Sequence, residues 1–194
     1  DRWIERLKEE RAKKQRMWID TKVSDKLPQN RYIADGMSPL ARGTKRFFDI
    51  LFSAITLILF SPLILLVYLF VRLEDGGPAI FKQERIGRHG RAFNIYKFRS
   101  MRVDAEEMGP TLSHSCGNRD PRLTKVGRFI RAHHIDELPQ LWNILKGDMS
   151  FIGPRPERQY YIDRIMDYDK RYSYLYQIRP GVTSYATLYN GYTD

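Results

Sequence analysis

At 194 residues with a net charge of +10, the chain has room for one compact domain beside an apolar segment and a polar arm, and its basic excess favours anionic partners: nucleic acid, lipid headgroups or a phosphorylated substrate. Its one cysteine, Cys116, excludes an internal disulfide and fits a reducing compartment, and no zinc-type spacing occurs. The excess is split: residues 1–46 hold 13 Lys and Arg against 7 Asp and Glu, and residues 72–194 hold 20 against 15.

In chain order, residues 1 to about 19 read as a charged helix with Trp3, Ile4 and Leu7 on one face, and Thr21–Ser38 as a polar linker. The run Ile50–Val71 (ILFSAITLILFSPLILLVYLFV) follows. As a straight helix it reaches about 33 Å, enough to cross a bilayer. It lies too far from the start, and is too long, for a cleaved signal peptide. Pro62 at its midpoint costs roughly 3 kcal/mol in a helix interior unless the helix bends. Lys45 and Arg46 precede the run, and Arg72, Lys82, Arg85, Arg88 and Arg91 follow it. Because Lys and Arg collect on the cytoplasmic side, a helix broken at Ser61-Pro62 that enters and leaves by one face satisfies both flanks. A kinked single span remains open on these residues.

Beyond the turn Glu74–Pro78, the stretches Ala79–Glu84 and Ala92–Arg99 predict a hairpin joined by GRHGR. Met101–Met108 reads as a short helix, Gly109–Pro121 as a surface loop and Lys125–Ala132 as a helix. In His134–Gly147, Asp136 is expected as an N-cap, Leu138, Leu141, Trp142 and Leu145 as one apolar face, and Gly147 as the stop. Gly153-Pro154-Arg155-Pro156 is a rigid loop, and Glu157 to about Tyr176 a Tyr-rich helix. The fold class is α+β and helix-dominated, with a small domain carrying a short β-hairpin.

Two groups of residues could carry chemistry. Asp136-Glu137 at a helix start would stay ionised there, able to attack phosphorus or hold Mg²⁺; an N-cap followed by a dipole-favourable Glu is the commoner reading of such a pair by itself. Lys97 and Arg99 alternate with Tyr96 and Phe98, Arg128 and Arg131 stand just before the pair, and Arg155 is clamped between prolines. Guanidinium forks match phosphate oxygens. His89, His114, His133 and His134 have no nucleophile–base spacing.

The chain also carries, in order, KRFFDI (Lys45–Ile50), Ser61-Pro62, GGPAIFKQERIGRHGRAFNIYKFRSM (Gly76–Met101), DPRLTKVGRFIR (Asp120–Arg131), DELPQLWNILKGDMSFIGPRPE (Asp136–Glu157) and RPGVT (Arg179–Thr183). Over about residues 44–190 this resembles the monotopic phosphoglycosyl transferases, bacterial sugar transferases that start glycan assembly on a polyprenyl phosphate. The resemblance implies a re-entrant helix broken at Ser61-Pro62 within residues 44–73, after an arm and linker at 1–43. A catalytic domain at 74–194, C-terminally incomplete, would lie on the cytoplasmic face of the bacterial inner membrane. It implies Asp136 as nucleophile and Mg²⁺ ligand, with Glu137 assisting. Lys97, Arg131, Arg155 and, less clearly, Arg179 would bind phosphates. UDP-sugar and undecaprenyl phosphate would be the substrates, with lipid headgroups as further partners, nucleic acid excluded and a homo-oligomer admitted. Ser184 stands where the family commonly has Gly. The rivals are a single-span protein whose basic domain binds anionic lipid or nucleic acid, and a lipid phosphotransferase that uses no sugar.

Overall fold

Ser38 opens the first described helix, α1 (Pro39–Leu59): its extended backbone lets Oγ accept from the N–H of Ala41 at 3.1 Å, and Pro39 sits where no N–H is needed. The computed structural model describes residues 36–103, 105 and 120–184. The charged arm, most of the linker, Asp104, residues 106–119 with His114 and Cys116, and residues 185–194 lie outside them.

Helix α2 (Ser61–Asp75) leaves α1 at a bend of 63°, at the expected break. Pro62 has no N–H for the carbonyl of Ile58, four residues back, and Ser61 Oγ donates to that carbonyl instead at 2.8 Å. Among the described residues no single helix is long and apolar enough to cross a membrane, whereas the bent pair together is. Gly76, left-handed at φ 72°, closes α2 by donating to Arg72 O.

The hairpin forms as expected, its first strand ending two residues later and its second one residue sooner: β1 (Ile80–Ile86) pairs antiparallel with β2 (Ala92–Phe98), from Ile80 opposite Phe98 to Ile86 opposite Ala92. Strand alternation turns the two faces of β2 to two halves of the core. Phe98 packs with Val67 and Val71 of α2, Ala79 and Ile130; Ile95 packs with Leu141, Ile144 and Met149. Ile130 belongs to α3 (Lys125–Ala132), as expected from its periodicity. Its first turn is capped by Thr124 Oγ1, which accepts from Gly127 N, and by Glu74 Oε1, which accepts from Lys125 N at 2.7 Å.

Leu141 and Ile144 lie on α4 (Gln140–Lys146), which stops at Gly147 with φ 98°. Its inward face differs from the expected one: Trp142 is 57% exposed, and Ile144 is fully buried in its place. Asn143, also fully buried, joins α4 to the hairpin: its side chain accepts from Tyr96 N at 3.0 Å and donates to Asn94 O at 2.8 Å. Asn143→Ala leaves two part-buried backbone groups without this partner and should cost about 1–3 kcal/mol, read from thermal unfolding of the detergent-solubilised protein.

Two further expectations need correction, and one element is additional to them. Met101 forms an isolated bridge with Leu123 and Arg102 N donates to Arg122 O, so the described start of Met101–Met108 is extended and not helical. The helix expected over Glu157–Tyr176 is two pieces, α5 (Gln159–Tyr168) and a 3₁₀ turn over Lys170–Gln177. Asp169 is extended between them and caps the second by accepting from Arg171 N. A second sheet, not anticipated, pairs β3 (Ser150–Ile152) in parallel with β4 (Gly181–Thr183). A Cβ on Gly153 would come within 2.2 Å of Arg179 O, so this close approach needs glycine.

The start of α1 is bolted to this layer. Arg46 donates to Ile144 O at 2.6 Å and Leu145 O at 2.7 Å, adding a cation to the C-terminal carbonyls of α4. Asp49, 5% exposed, accepts from Ser150 Oγ at 3.0 Å and Phe151 N at 3.2 Å.

Candidate active site

Lys97 lies on the same face of β2 as Ile95, the face that packs on α4, and alternation therefore aims its ammonium at the acidic pair. It donates to Glu137 Oε1 at 2.6 Å, with the two side chains 20% and 13% exposed. Asp136 is 7% exposed.

Asp136 is not the expected N-cap. A capping carboxylate receives the N–H of the second or third helical residue, and counted from Asp136 the third is Pro139, which has none. The chain instead makes a 3₁₀ turn over Ile135–Glu137, with Leu138 N donating to Ile135 O, before α4 begins at Gln140. His134, left-handed at φ 54°, turns the chain from α3 into this segment, one of two non-glycine residues so placed among the described ones. Such strain of about 1–3 kcal/mol persists where the surroundings impose it.

The electrostatics differ from expectation accordingly. Burial, foremost, pushes the Asp136 carboxyl above its ordinary value; Lys97 opposes this, Glu137 adds to it, and Arg131 and His134 oppose it. Burial also works against ionisation of Glu137, but Lys97, by charge and by hydrogen bond, with Arg155 and His134, holds that carboxyl below its ordinary value. Environment thus separates two adjacent carboxyls: Glu137 is the anion paired with Lys97, and Asp136 retains a proton more readily.

Arg155 is exposed, and the loop that carries it is stapled from both sides. Gly181 N donates to Pro154 O at 2.9 Å, Arg85 to Pro156 O at 3.0 Å and Ile86 N to Glu157 O at 3.1 Å. Asp136, Glu137, Lys97, Arg131 and Arg155 therefore share one electrostatic neighbourhood. Arg179 does not join it. Its Nε donates to Gly147 O at 2.9 Å, and its charged neighbours are Arg46, Arg88 and Asp49. Arg99, 6% exposed, turns to Asp75 and Val71 O, and Arg128 is exposed on α3.

Sequence reasoning missed Asn143 and Asp120. Asp120, 2% exposed, binds Arg122 at 2.6 Å. That hydrogen bond, against burial, holds its carboxyl below the ordinary value, with Arg131 contributing. The Asp-Pro-Arg spacing was the available signal, since an Asp two residues before an Arg in a turn favours such a pair.

The chain thus carries a buried acidic pair held by Lys97 and influenced by Arg131 and Arg155, together with a bent apolar helix pair. It belongs to the bacterial sugar transferase family, whose profile matches residues 40–194. It is 44% identical over 155 residues to the UDP-N-acetylgalactosamine-undecaprenyl-phosphate N-acetylgalactosaminephosphotransferase of Aeromonas hydrophila, covering 80% of this chain and 36% of that protein. It is 46% identical over 148 residues to the UDP-glucose:undecaprenyl-phosphate glucose-1-phosphate transferase of Caulobacter vibrioides, covering 74% and 53%. The undecaprenyl-phosphate galactose phosphotransferase of Salmonella typhimurium is 43% identical over 159 residues, covering 74% and 32%. The chain thus spans about a third to a half of the length of these relatives. Their names carry three different sugars at nearly equal identity, so likeness to this chain does not sort by sugar.

Proposed function

We propose that this chain moves a sugar 1-phosphate from a UDP-sugar to undecaprenyl phosphate through an aspartyl-phosphosugar intermediate. The observation that carries the proposal is the unequal carboxyl pair at Asp136-Glu137, enclosed and faced by Lys97, Arg131 and Arg155. An Asp136 carboxylate oxygen attacks the phosphorus bearing the sugar, and the bond from that phosphorus to the UMP oxygen breaks. UMP leaves with the bond's electron pair. An oxygen of undecaprenyl phosphate then attacks the same phosphorus and Asp136 departs as carboxylate, leaving undecaprenyl diphosphosugar. The covalent step lets a soluble donor and a lipid acceptor use one site in turn.

Each residue has a part in this sequence. Asp136 must ionise before it attacks, and Lys97, Arg131 and His134 favour that state. Glu137, held by Lys97, orients the ammonium towards the phosphates. Arg155, exposed on its stapled loop, would meet phosphoryl oxygens as charge grows on the leaving group. Among the described residues no three His, Cys, Asp or Glu converge on a metal site. Mg²⁺ still fits, since it is commonly held by one or two carboxylates with substrate phosphates and water, and Asp136 would be its protein ligand. When bound it would offset phosphoryl charge.

The apolar pair supports a re-entrant seat in the membrane. Phe52, Ile55, Ile58, Leu59, Leu65 and Leu66 are 50–75% exposed, an apolar surface unsuited to water. Legs of about ten residues either side of the 63° bend, set symmetrically, reach about 8 Å deep, within one leaflet of about 15 Å. Pro62→Ala is expected to straighten the pair and carry one basic flank across. Protease would then reach the two flanks from opposite faces of a vesicle, whereas the unaltered chain is cut from one face.

The direct test incubates purified chain with Mg²⁺, undecaprenyl phosphate and a panel of UDP-sugars, reading UMP. Release with at least one sugar donor, and none with nucleoside triphosphates, is expected. A folded chain that releases UMP from no donor overturns the reading.

A further inference from the structure

A second cluster of cations lies where the start of α1 meets the β3–β4 corner. Arg42, Lys45, Arg46, Arg88 and Arg179 line one open cleft, and among the described lining residues Asp49 is the one acid. That carboxylate faces inward, held by Ser150 Oγ and Phe151 N with Lys45 at 3.4 Å, so the cleft presents positive charge. The negative end of α4 accounts for part of the gathering, since Arg46 and Arg179 donate to its last carbonyls and to Gly147 O. It does not account for Arg88, which reaches the same cleft from the hairpin turn with its Nε on Gln177 O.

Like charges brought together at a half-buried corner raise one another's electrostatic cost, and an added anion lowers it. The effect is visible on Arg179: burial, then Arg46 and Arg88, push its guanidinium below the ordinary value, and Asp49 only partly opposes them. The cluster is separate from the Asp136-Glu137 site. The charged neighbours of Arg179 are Arg46, Arg88 and Asp49, while those of the acidic pair are Lys97, Arg131, Arg155 and His134.

We propose that this cleft is an anion site for a phosphate group, held by the guanidinium groups of Arg42, Arg88 and Arg179 and performing no chemistry. Guanidinium forks suit phosphate oxygens, and with Nε committed to Gly147 the outer N–H donors of Arg179 are the natural contacts. The remaining wall includes Met37, Ile152 and Ile178, which suits a phosphate carried on an apolar or glycerol-like body. Directly after Arg46, Phe47 and Phe48 are 60% and 44% exposed, so the cleft opens at the edge of the apolar surface. The phosphate is either that of a lipid headgroup or one free in solution.

Inorganic phosphate titrated into the detergent-solubilised chain, followed by ³¹P line broadening, tests the site. The Lys97→Gln chain, once its thermal melt shows it folded, should keep the binding that belongs to the cleft, whose lining does not include Lys97, whatever it loses at the Asp136-Glu137 site. The Arg42→Gln/Arg88→Gln double variant should bind at least tenfold more weakly. Phenylglyoxal modification of the unaltered chain, mapped by mass spectrometry, gives a readout that needs no variant: phosphate should protect Arg42, Arg88 and Arg179. Repeating the titration in phosphatidylcholine nanodiscs with and without phosphatidylglycerol identifies the source. Competition by phosphatidylglycerol assigns the site to lipid headgroups, and indifference to it assigns the site to soluble phosphate. Loss of binding in Lys97→Gln with none in the double variant, or absence of both binding and protection, overturns the proposal. UMP release is a separate assay, so either reading can fail without the other.

Discussion

Asp136→Asn is expected to reduce kcat/KM by at least about 10³-fold, as loss of a covalent nucleophile does, while raising the thermal midpoint at neutral pH. The second half follows from the direction of its titration. Burial raises the Asp136 carboxyl above its ordinary 3.8, so the folded chain holds that proton more tightly than the unfolded one. Stability therefore falls as pH rises from the ordinary value through the raised one, above which the folded state bears the full cost of a buried anion. Asparagine cannot ionise and removes that cost. Below the ordinary value the two proteins should differ little on this account. Thermal melts across pH together with UMP release check both halves. Activity lost together with stability at neutral pH would instead mark Asp136 as a structural residue.

Lys97→Met should cost about 3 kcal/mol of stability, because it leaves Glu137 half-buried beside Asp136 without the ammonium it meets at 2.6 Å. It should also move the acid limb of kcat/KM to higher pH, since Lys97 is the strongest group opposing the upward push on Asp136. Glu137 behaves with the opposite sign. Its carboxyl lies below the ordinary 4.5, so its contribution to stability is complete above that value and lost as pH falls through the lowered one. Lys97→Met should abolish this acid-side loss. Lys97→Met/Glu137→Gln should be less destabilised than the sum of the single changes, because no unpaired anion remains. A pH–rate profile unchanged in Lys97→Met would remove Lys97 from the site.

Much of the molecule was legible along the chain because it rests on local spacing. Helix α3 follows from Val126, Phe129 and Ile130, and the hairpin from two β-rich runs around GRHGR. The break follows from proline, and the stop of α4 from Gly147. The acidic pair and its cations were identified through the order of motifs. Their meeting was partly legible too, because alternation on β2 already set Lys97 apart from Phe98.

Long-range pairings were not legible. Strands β3 and β4 have three residues each and lie about thirty residues apart, too short for a period to show. Arg46 looked like a membrane flank and proves also to cap α4 almost a hundred residues away. Arg179 looked like a companion of the acidic pair and lies among other cations.

Sequence alone determined the break in the apolar run, the hairpin, helix α3 and the family, since helical period, proline and the order of motifs are properties of neighbouring residues. Tertiary structure decided the state of Asp136 and the separation of Arg179 from it. A carboxyl's affinity for its proton depends on how much water and which charges surround it, and those are assembled from β2, α3 and the turn before α4 only when the chain folds.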